Sequence, residues 1–338
     1  MALNMTSREL VLQSIEFRNP QRVPRNIWAL PWAFDHYPEE MKELYQKYPD
    51  DFAGVSGYLR EAPETKGNPY EIGTYIDEWG CVFENRQKGV IGEVKRPIVE
   101  DWSDLRKVRF PKGWLTIDQD RINRFCQGTT CFVQSSFSPR PFEQLQFLRG
   151  TENLMMDLMD PEPAMLDFIQ QMHEFYCQGL TLWAKTDVDA LFFMDDWGTQ
   201  KSLLIPPAVW RRIFKPLYRD YIQIAHRAGK KILMHSDGNT LEILPDLIEL
   251  GLDVINTQLF CIGLENLRPF AGKITFWGEI DRQYLLSFAS VREVEEAVQK
   301  VYETLWRDGG CIAQMECSAG MKPENVFRAY ETWNRVLN

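Results

Sequence analysis

The chain has 338 residues, 44% of them hydrophobic and 25% charged, with a formal net charge of −10. That length buries enough apolar surface to fold without staples, and the acidic balance argues against a general nucleic-acid surface, which needs a basic stripe. Seven cysteines, at 81, 126, 131, 177, 261, 311 and 317, form no C-x-x-C pair and read as reduced thiols. Met1 to Glu9 shows no positive run ahead of an apolar core. No stretch approaches the roughly 18 apolar residues of a membrane span, so a soluble, cytoplasmic protein is expected.

Helix and strand signals alternate along most of the chain. Thr6 or Ser7 is placed to cap a first helix running towards Phe17, with Glu9 in its acidic first turn. Strands are expected over Arg22 to Leu30 and Asp51 to Leu59. Residues 61–126 differ, being rich in turn residues and short aromatic runs, and read as an inserted β-hairpin region lying over one end of the fold. The strand series resumes at Cys131 to Phe137 and Ala190 to Asp196, with a long helix from Pro163 to Lys185 between them. Ile232 to Asp237, Val254 to Phe260, Ile274 to Ile280 and Cys311 to Glu316 complete eight strands. Helices are expected over Pro206 to Ala228, Leu241 to Leu250, Val291 to Trp306 and Pro323 to Leu337. Eight strands separated mainly by helices predict one (β/α)8 TIM barrel with the insertion after its second strand. The alternative is a doubly wound sheet, for which no G-x-G-x-x-G follows a strand.

Barrel enzymes carry their working residues at the C-terminal strand ends. Here those ends offer Gln134-Ser135-Ser136, Asp195-Asp196-Trp197-Gly198-Thr199-Gln200, His235-Ser236-Asp237, Asn256-Thr257-Gln258, Glu279-Ile280-Asp281 and Gln314-Met315-Glu316-Cys317. Each also has a plainer reading. His235 could be a hydrogen-bonded core histidine, Asp196 could cap a turn, Glu279 and Asp281 could pair with Arg282, and Cys317 could be a small buried hydrophobe. Glu316 and Cys317 are adjacent, so a regular strand turns only one of them inward. The joint pattern favours a site. His235 and Asp237 share a strand face, and with Glu279 and either Glu316 or Cys317 they could supply the three or four donors a Zn²⁺ ion requires. Asp195 and Asp196 are candidates for orienting substrate or handling a proton. Trp32, Trp197, Gln200 and Gln258 are candidates for lining a substrate pocket. Lys and Arg are sparse at the strand ends apart from Arg140, which argues weakly against a substrate with many carboxylates or phosphates.

Several of these stretches carry a family resemblance. Met5-Thr6-Ser7-Arg8-Glu9 with Arg22-Val23-Pro24, Met194-Asp195-Asp196-Trp197-Gly198-Thr199-Gln200, His235-Ser236-Asp237-Gly238-Asn239, Phe276-Trp277-Gly278-Glu279-Ile280-Asp281 and Lys322-Pro323-Glu324-Asn325-Val326 together resemble the uroporphyrinogen decarboxylase superfamily over nearly the whole chain. The resemblance implies a (β/α)8 barrel with its site at the strand C-termini. True decarboxylases of the superfamily grip the acidic tetrapyrrole with an Arg-rich stretch of the form R-Q-A-G-R-Y. The corresponding Asn26 to Asp35 has no Arg. The other branch looks like zinc methyltransferases that exchange methyl groups with a corrinoid protein or a thiol, using His-x-Cys and a later Cys. Here Asp237 stands at the first Cys position and Glu316 at the second, with Cys317 one residue off.

The resemblance therefore implies a metal-assisted methyltransferase that moves a methyl group from a small methylated substrate, such as a methyl ether, to a corrinoid protein. A homodimer is expected on the same ground. Two rivals stay open: a metal-free decarboxylase with Asp195 or Asp237 as general acid, and a non-catalytic corrinoid or tetrapyrrole binder.

Overall fold

The computed structural model describes residues 5–337; the first residues of the leader reading, Met1 to Asn4, lie outside that range. In chain order the strands are β1 (Arg25–Ala29), β2 (Phe52–Ala53), β3 (Gly73–Ile76), β4 (Val82–Asn85), β5 (Glu93–Arg96), β6 (Phe132–Val133), β7 (Ala190–Met194), β8 (Lys231–Ser236), β9 (Val254–Thr257), β10 (Thr275–Glu279) and β11 (Cys311–Cys317). Six of them form one parallel sheet in the order β1-β11-β10-β9-β8-β7, and β2 pairs in parallel with β6. Backbone bonds join the two pieces. Asp51 N–H donates to Arg25 O (3.0 Å), Asp189 N–H to Val133 O (2.8 Å) and Ser135 N–H to Ala190 O (2.9 Å). The eight parallel strands thus curl into a barrel, with helices such as Pro163–Ala184, Val291–Leu305 and Pro323–Arg335 outside.

Side-chain alternation separates interior from exterior. Phe52, Phe192, Leu233, Val254, Trp277 and Ile312 pack together as one cluster inside the barrel, with Val11 and Ile15 of the N-terminal helix closing its lower end. That helix, Ser7–Ile15, starts with a capping box in which the Thr6 side chain accepts from Glu9 N–H and the Glu9 carboxylate accepts from Thr6 N–H. The outward residues Ala313, Met315 and Cys317 of β11 join the larger core beneath the helices. Every buried Leu, Ile or Phe of these layers contributes about 1.5–3 kcal/mol.

The opening family motif sits at this lower end and is structural. Asp51, fully buried, accepts from both terminal nitrogens of Arg22 (2.6 and 2.5 Å), from Ser7 Oγ (2.6 Å) and from Arg25 N–H (2.8 Å). Arg8 Nε donates to Asp189 (3.0 Å), whose carboxylate also accepts from Val133 N–H. These bonds tie the N-terminal helix to β1, β2, β6 and β7.

Several elements differ from expectation. The strands expected over Asp51 to Leu59 and Cys131 to Phe137 shorten to Phe52–Ala53 and Phe132–Val133. The helix over Pro206 to Ala228 is two, Pro207–Ile213 and Lys215–Arg227, because Pro216 has no N–H to continue the ladder. The strand expected to reach Phe260 stops at Thr257, and Leu259–Ile262 is a helical turn; a short apolar run fits either period. Between β2 and β6 the chain builds a separate three-stranded antiparallel sheet, β3-β4-β5, and Gln119–Gly128 is a regular helix leading into β6.

Among the described residues no helix is long and apolar enough to cross a membrane.

Candidate active site at the barrel mouth

The loops after β7 and β8 approach backbone to backbone. A Cβ on Gly198 would lie 2.1 Å from Asn239 N, and one on Gly238, whose φ is 76°, would lie 2.1 Å from Gly198 O. Only glycine permits that contact. It sets the Asp195-Asp196 tip beside the His235-Ser236-Asp237 tip, and Asp237 N–H donates to Asp196 Oδ1 at 3.0 Å.

His235 is 8% exposed and ends the inward series of β8. Its Nδ1 lies 2.5 Å from Asn256 Oδ1, while Asn256 Nδ2 donates to the Trp277 carbonyl at 2.7 Å. The carbonyl can only accept, so the amide is oriented and its oxygen requires the proton on Nδ1. In neutral His235 the lone pair is therefore on Nε2, which points to Asp196 Oδ1 (3.5 Å) and Asp237 Oδ1 (3.8 Å). One donor atom each from Asp196, His235 and Asp237 lie within 4.8 Å of one another, the one such group of metal-competent side chains among the described residues. The indole of Trp28, 5.2 Å from the imidazole, walls the group from β1.

The other metal candidates are turned elsewhere. Arg282 gathers Glu279 (3.0 Å), Glu316 (3.1 Å) and the second oxygen of Asp237 (2.6 Å). Burial works against its charge, but the three carboxylates outweigh that and raise its pKa. Burial pushes the Glu279 carboxyl up to about 8, reinforced by Asp237 and Glu316 and opposed by Arg282. Cys317 points outward from β11 into the helix layer, and burial pushes its thiol up to about 12. The converging set is thus His235 and Asp237 with Asp196, not with Glu279, Glu316 or Cys317.

Asp195 is fully buried. Its carboxylate accepts from Phe142 N–H (3.1 Å), Glu143 N–H (2.8 Å) and the Tyr218 hydroxyl. Burial raises its pKa well above the carboxylate range against those three donors. It ties the helix Pro141–Arg149 to the barrel and is spent on that. Trp197, expected as a pocket wall, is also in the core: it is unexposed, stacks on Phe142 at 4.1 Å and donates to Tyr218 Oη at 2.8 Å. Trp32 stacks on His36 near the rim.

Two cavities flank the group. A polar one of about 120 Å³ lies beside β10, where Gln200, Gln258, Glu279 and Arg282 meet; Gln258 also accepts from Gly238 N–H at 3.1 Å. The larger, about 390 Å³, lies between the barrel mouth and the three-stranded sheet. Arg140 and Glu143, paired at 3.1 Å, stand between it and the aspartates. Burial raises the Glu143 pKa against the pull of Arg140, and Glu143 feels the charges of both Asp196 and His235.

Sequence reasoning missed Trp28 and Glu143 as parts of the site, and it placed Asn256 at a strand end without assigning its bond to His235. Glu143 follows no local pattern.

A parallel barrel whose mouth carries a histidine, two carboxylates beside it and two arginine-centred ion clusters has the architecture of an enzyme site. The chain belongs to the uroporphyrinogen decarboxylase family, which it matches over residues 70–336. A methyltransferase from Methanosarcina mazei superposes with a TM-score of 0.67 at 14% identity, over 99% of this chain and 100% of that one. Xylanase 10B from Thermotoga petrophila RKU-1 gives 0.46 at 10% identity over 100% of both chains. A B12-independent methionine synthase from Shewanella sp. W3-18-1 gives 0.42 at 13% identity, over 73% of this chain and 68% of that one. At 14% identity the likeness to the Methanosarcina mazei protein is one of fold. A comparison with curated protein sequences gives no match.

Proposed function

We propose that the chain is a metal-assisted methyltransferase that removes a methyl group from a small methylated substrate and delivers it to the corrinoid of a partner protein. The observation that carries this is the hydrogen-bonded orientation of His235, with its Nε2 lone pair aimed between Asp196 and Asp237. The donor set is one nitrogen and two carboxylates, with no cysteine in the group among the described residues, and it fits a divalent ion of the Zn²⁺ type. Asp196, His235 and Asp237 would hold it, and when bound it supplies Lewis acidity to an ether or other methoxyl oxygen.

The chain's own residues do the rest. Asn256 keeps the proton on Nδ1 of His235. Arg282 balances the charge of Asp237 from behind. Glu279, protonated at neutral pH with a pKa of about 8, holds a proton for the oxygen left when its bond to the methyl carbon breaks. The fold of the Methanosarcina mazei methyltransferase supports this reading.

The test is metal analysis of protein purified without chelator, together with an assay of methylcobalamin formation from cob(I)alamin and a methoxylated donor. Stoichiometric metal and transfer are expected, and His235→Ala is expected to lose both. A specific observation favours a second reading: the raised pKa of Glu279, about 8, suits a metal-free decarboxylase in which Glu279 protonates the carbanion left by CO₂. Release of CO₂ from a small acid by metal-free protein, with His235→Ala fully active, selects it and overturns the first.

A further inference from the structure

The larger cavity holds a group that neither the fold nor the metal-competent triad uses. Its volume of about 390 Å³ is within the about 300–1,000 Å³ of small-molecule sites. Two sets of mutually packed rings line it. Tyr75, Phe83 and Phe147 join the three-stranded sheet to the helix Pro141–Arg149, and Trp79 and Trp114 pack together on the other set. Arg140 is the sole cation of the lining. It is enclosed by protein yet keeps 35% of its side-chain surface open. Among the described residues the one hydrogen-bonded partner of its guanidinium is Glu143, through Nη1, so most of its five N–H donors are uncommitted. The Ser138 hydroxyl, also in the lining, is buried and has no partner among the described residues.

The acids of the lining do not cancel this. Asp77 accepts from Trp79 N–H (3.0 Å) and Cys81 N–H (2.7 Å) of its own turn. Glu143 is taken by Arg140, and its burial favours the protonated form. Glu78 is left as the one carboxylate of the lining without such a partner.

We propose that this cavity binds a flat aromatic carboxylate, its ring among the tyrosine, phenylalanine and tryptophan side chains and its carboxylate on Arg140 with Ser138. Arg140 is then the residue that makes the cavity select an acid over a neutral or cationic aromatic. As a substrate site, this rests on the methyltransferase reading; as a binding site, it stands without it.

Ligand-observed NMR titrations with benzoate, benzamide and benzylamine test it on the isolated protein. Benzoate is expected to bind about ten- to a hundredfold more tightly than benzamide, the effect of one charge-assisted contact. Arg140→Met is expected to bring the two to parity, Arg140→Lys to keep part of the preference, and Trp114→Ala to weaken both alike. Equal binding of benzoate and benzamide to the wild type, tighter benzylamine binding, or a preference that survives Arg140→Met overturns the proposal. If Arg140→Met does not fold, Arg140→Lys and Trp114→Ala decide. No metal or corrinoid is present, so failed methyl transfer with the benzoate preference intact overturns only the methyltransferase reading. Transfer without the preference overturns only this one.

Discussion

Two arginines stand on opposite sides of His235, and their surroundings make them different instruments. Arg282 is shared among three carboxylates, all within 3.1 Å, beside a small polar cavity. Arg140 has a single carboxylate partner and faces an aromatic cavity three times larger. Charge counting alone makes both acid-binding residues. The number of partners decides instead: a guanidinium shared among three carboxyl groups is committed to the protein's own acids, whereas one with a single partner retains donors for a ligand.

The sharpest way to break the contrast is Arg282→Met, which strands Asp237, Glu279 and Glu316 together. We expect a loss of about 3–5 kcal/mol, read from urea midpoints at about pH 8 and reduced at about pH 5, where the stranded carboxyls bind protons. If the loss is the same at both pH values, the three acids are not a single cluster. Asn256→Ala releases the ring of His235. It should weaken binding of Zn²⁺ about 10–100-fold, measured by metal titration, while leaving the unfolding midpoint of the metal-free protein within about 1–3 kcal/mol of wild type.

Glu279 gives a signed pH prediction. Its folded pKa, about 8, exceeds the ordinary value of 4.5, so between the two the folded state holds the extra proton. Its contribution to stability is whole below the unfolded value and is lost as pH rises through about 8. Denaturant midpoints should fall over this window, and Glu279→Gln should flatten that part of the curve. The smallest expected effect is that of Arg140→Met on stability, about 1–2 kcal/mol for a partly buried single pair whose carboxylate, Glu143, can take up a proton when left alone. A loss as large as that of Arg282→Met would end the distinction between the two clusters.

Much of this barrel was legible in the chain. The runs expected as strands over Ile232 to Asp237 and Cys311 to Glu316 coincide closely with Lys231–Ser236 and Cys311–Cys317, and the adjacency of Glu316 and Cys317 already implied that only one of them faces inward. His235 and Asp237 were singled out for the same reason, and they do share a face of the site. The partners were harder. Glu279 and Glu316 face the mouth as their strands require, but which cation or ion they meet depends on Arg282, whose loop orientation no periodicity encodes. Asp195 and Trp197 belong to a tip rich in polar and aromatic residues. Their environment is set by the helix Pro141–Arg149 and by Tyr218, more than 20 residues away in either direction.

The sequence by itself determined the alternation of strands and helices, the family motifs and the inward face of each long strand, because these follow from local periodicity and from glycines that admit one backbone path. Tertiary structure alone decided that Asp196 rather than Glu279 stands beside His235, that Asn256 sets its tautomer, and that Arg140 opens to a cavity while Arg282 is enclosed by acids. Those outcomes depend on distances between segments far apart in the chain, and electrostatic partnership falls off with distance in space, to which separation along the sequence is no guide.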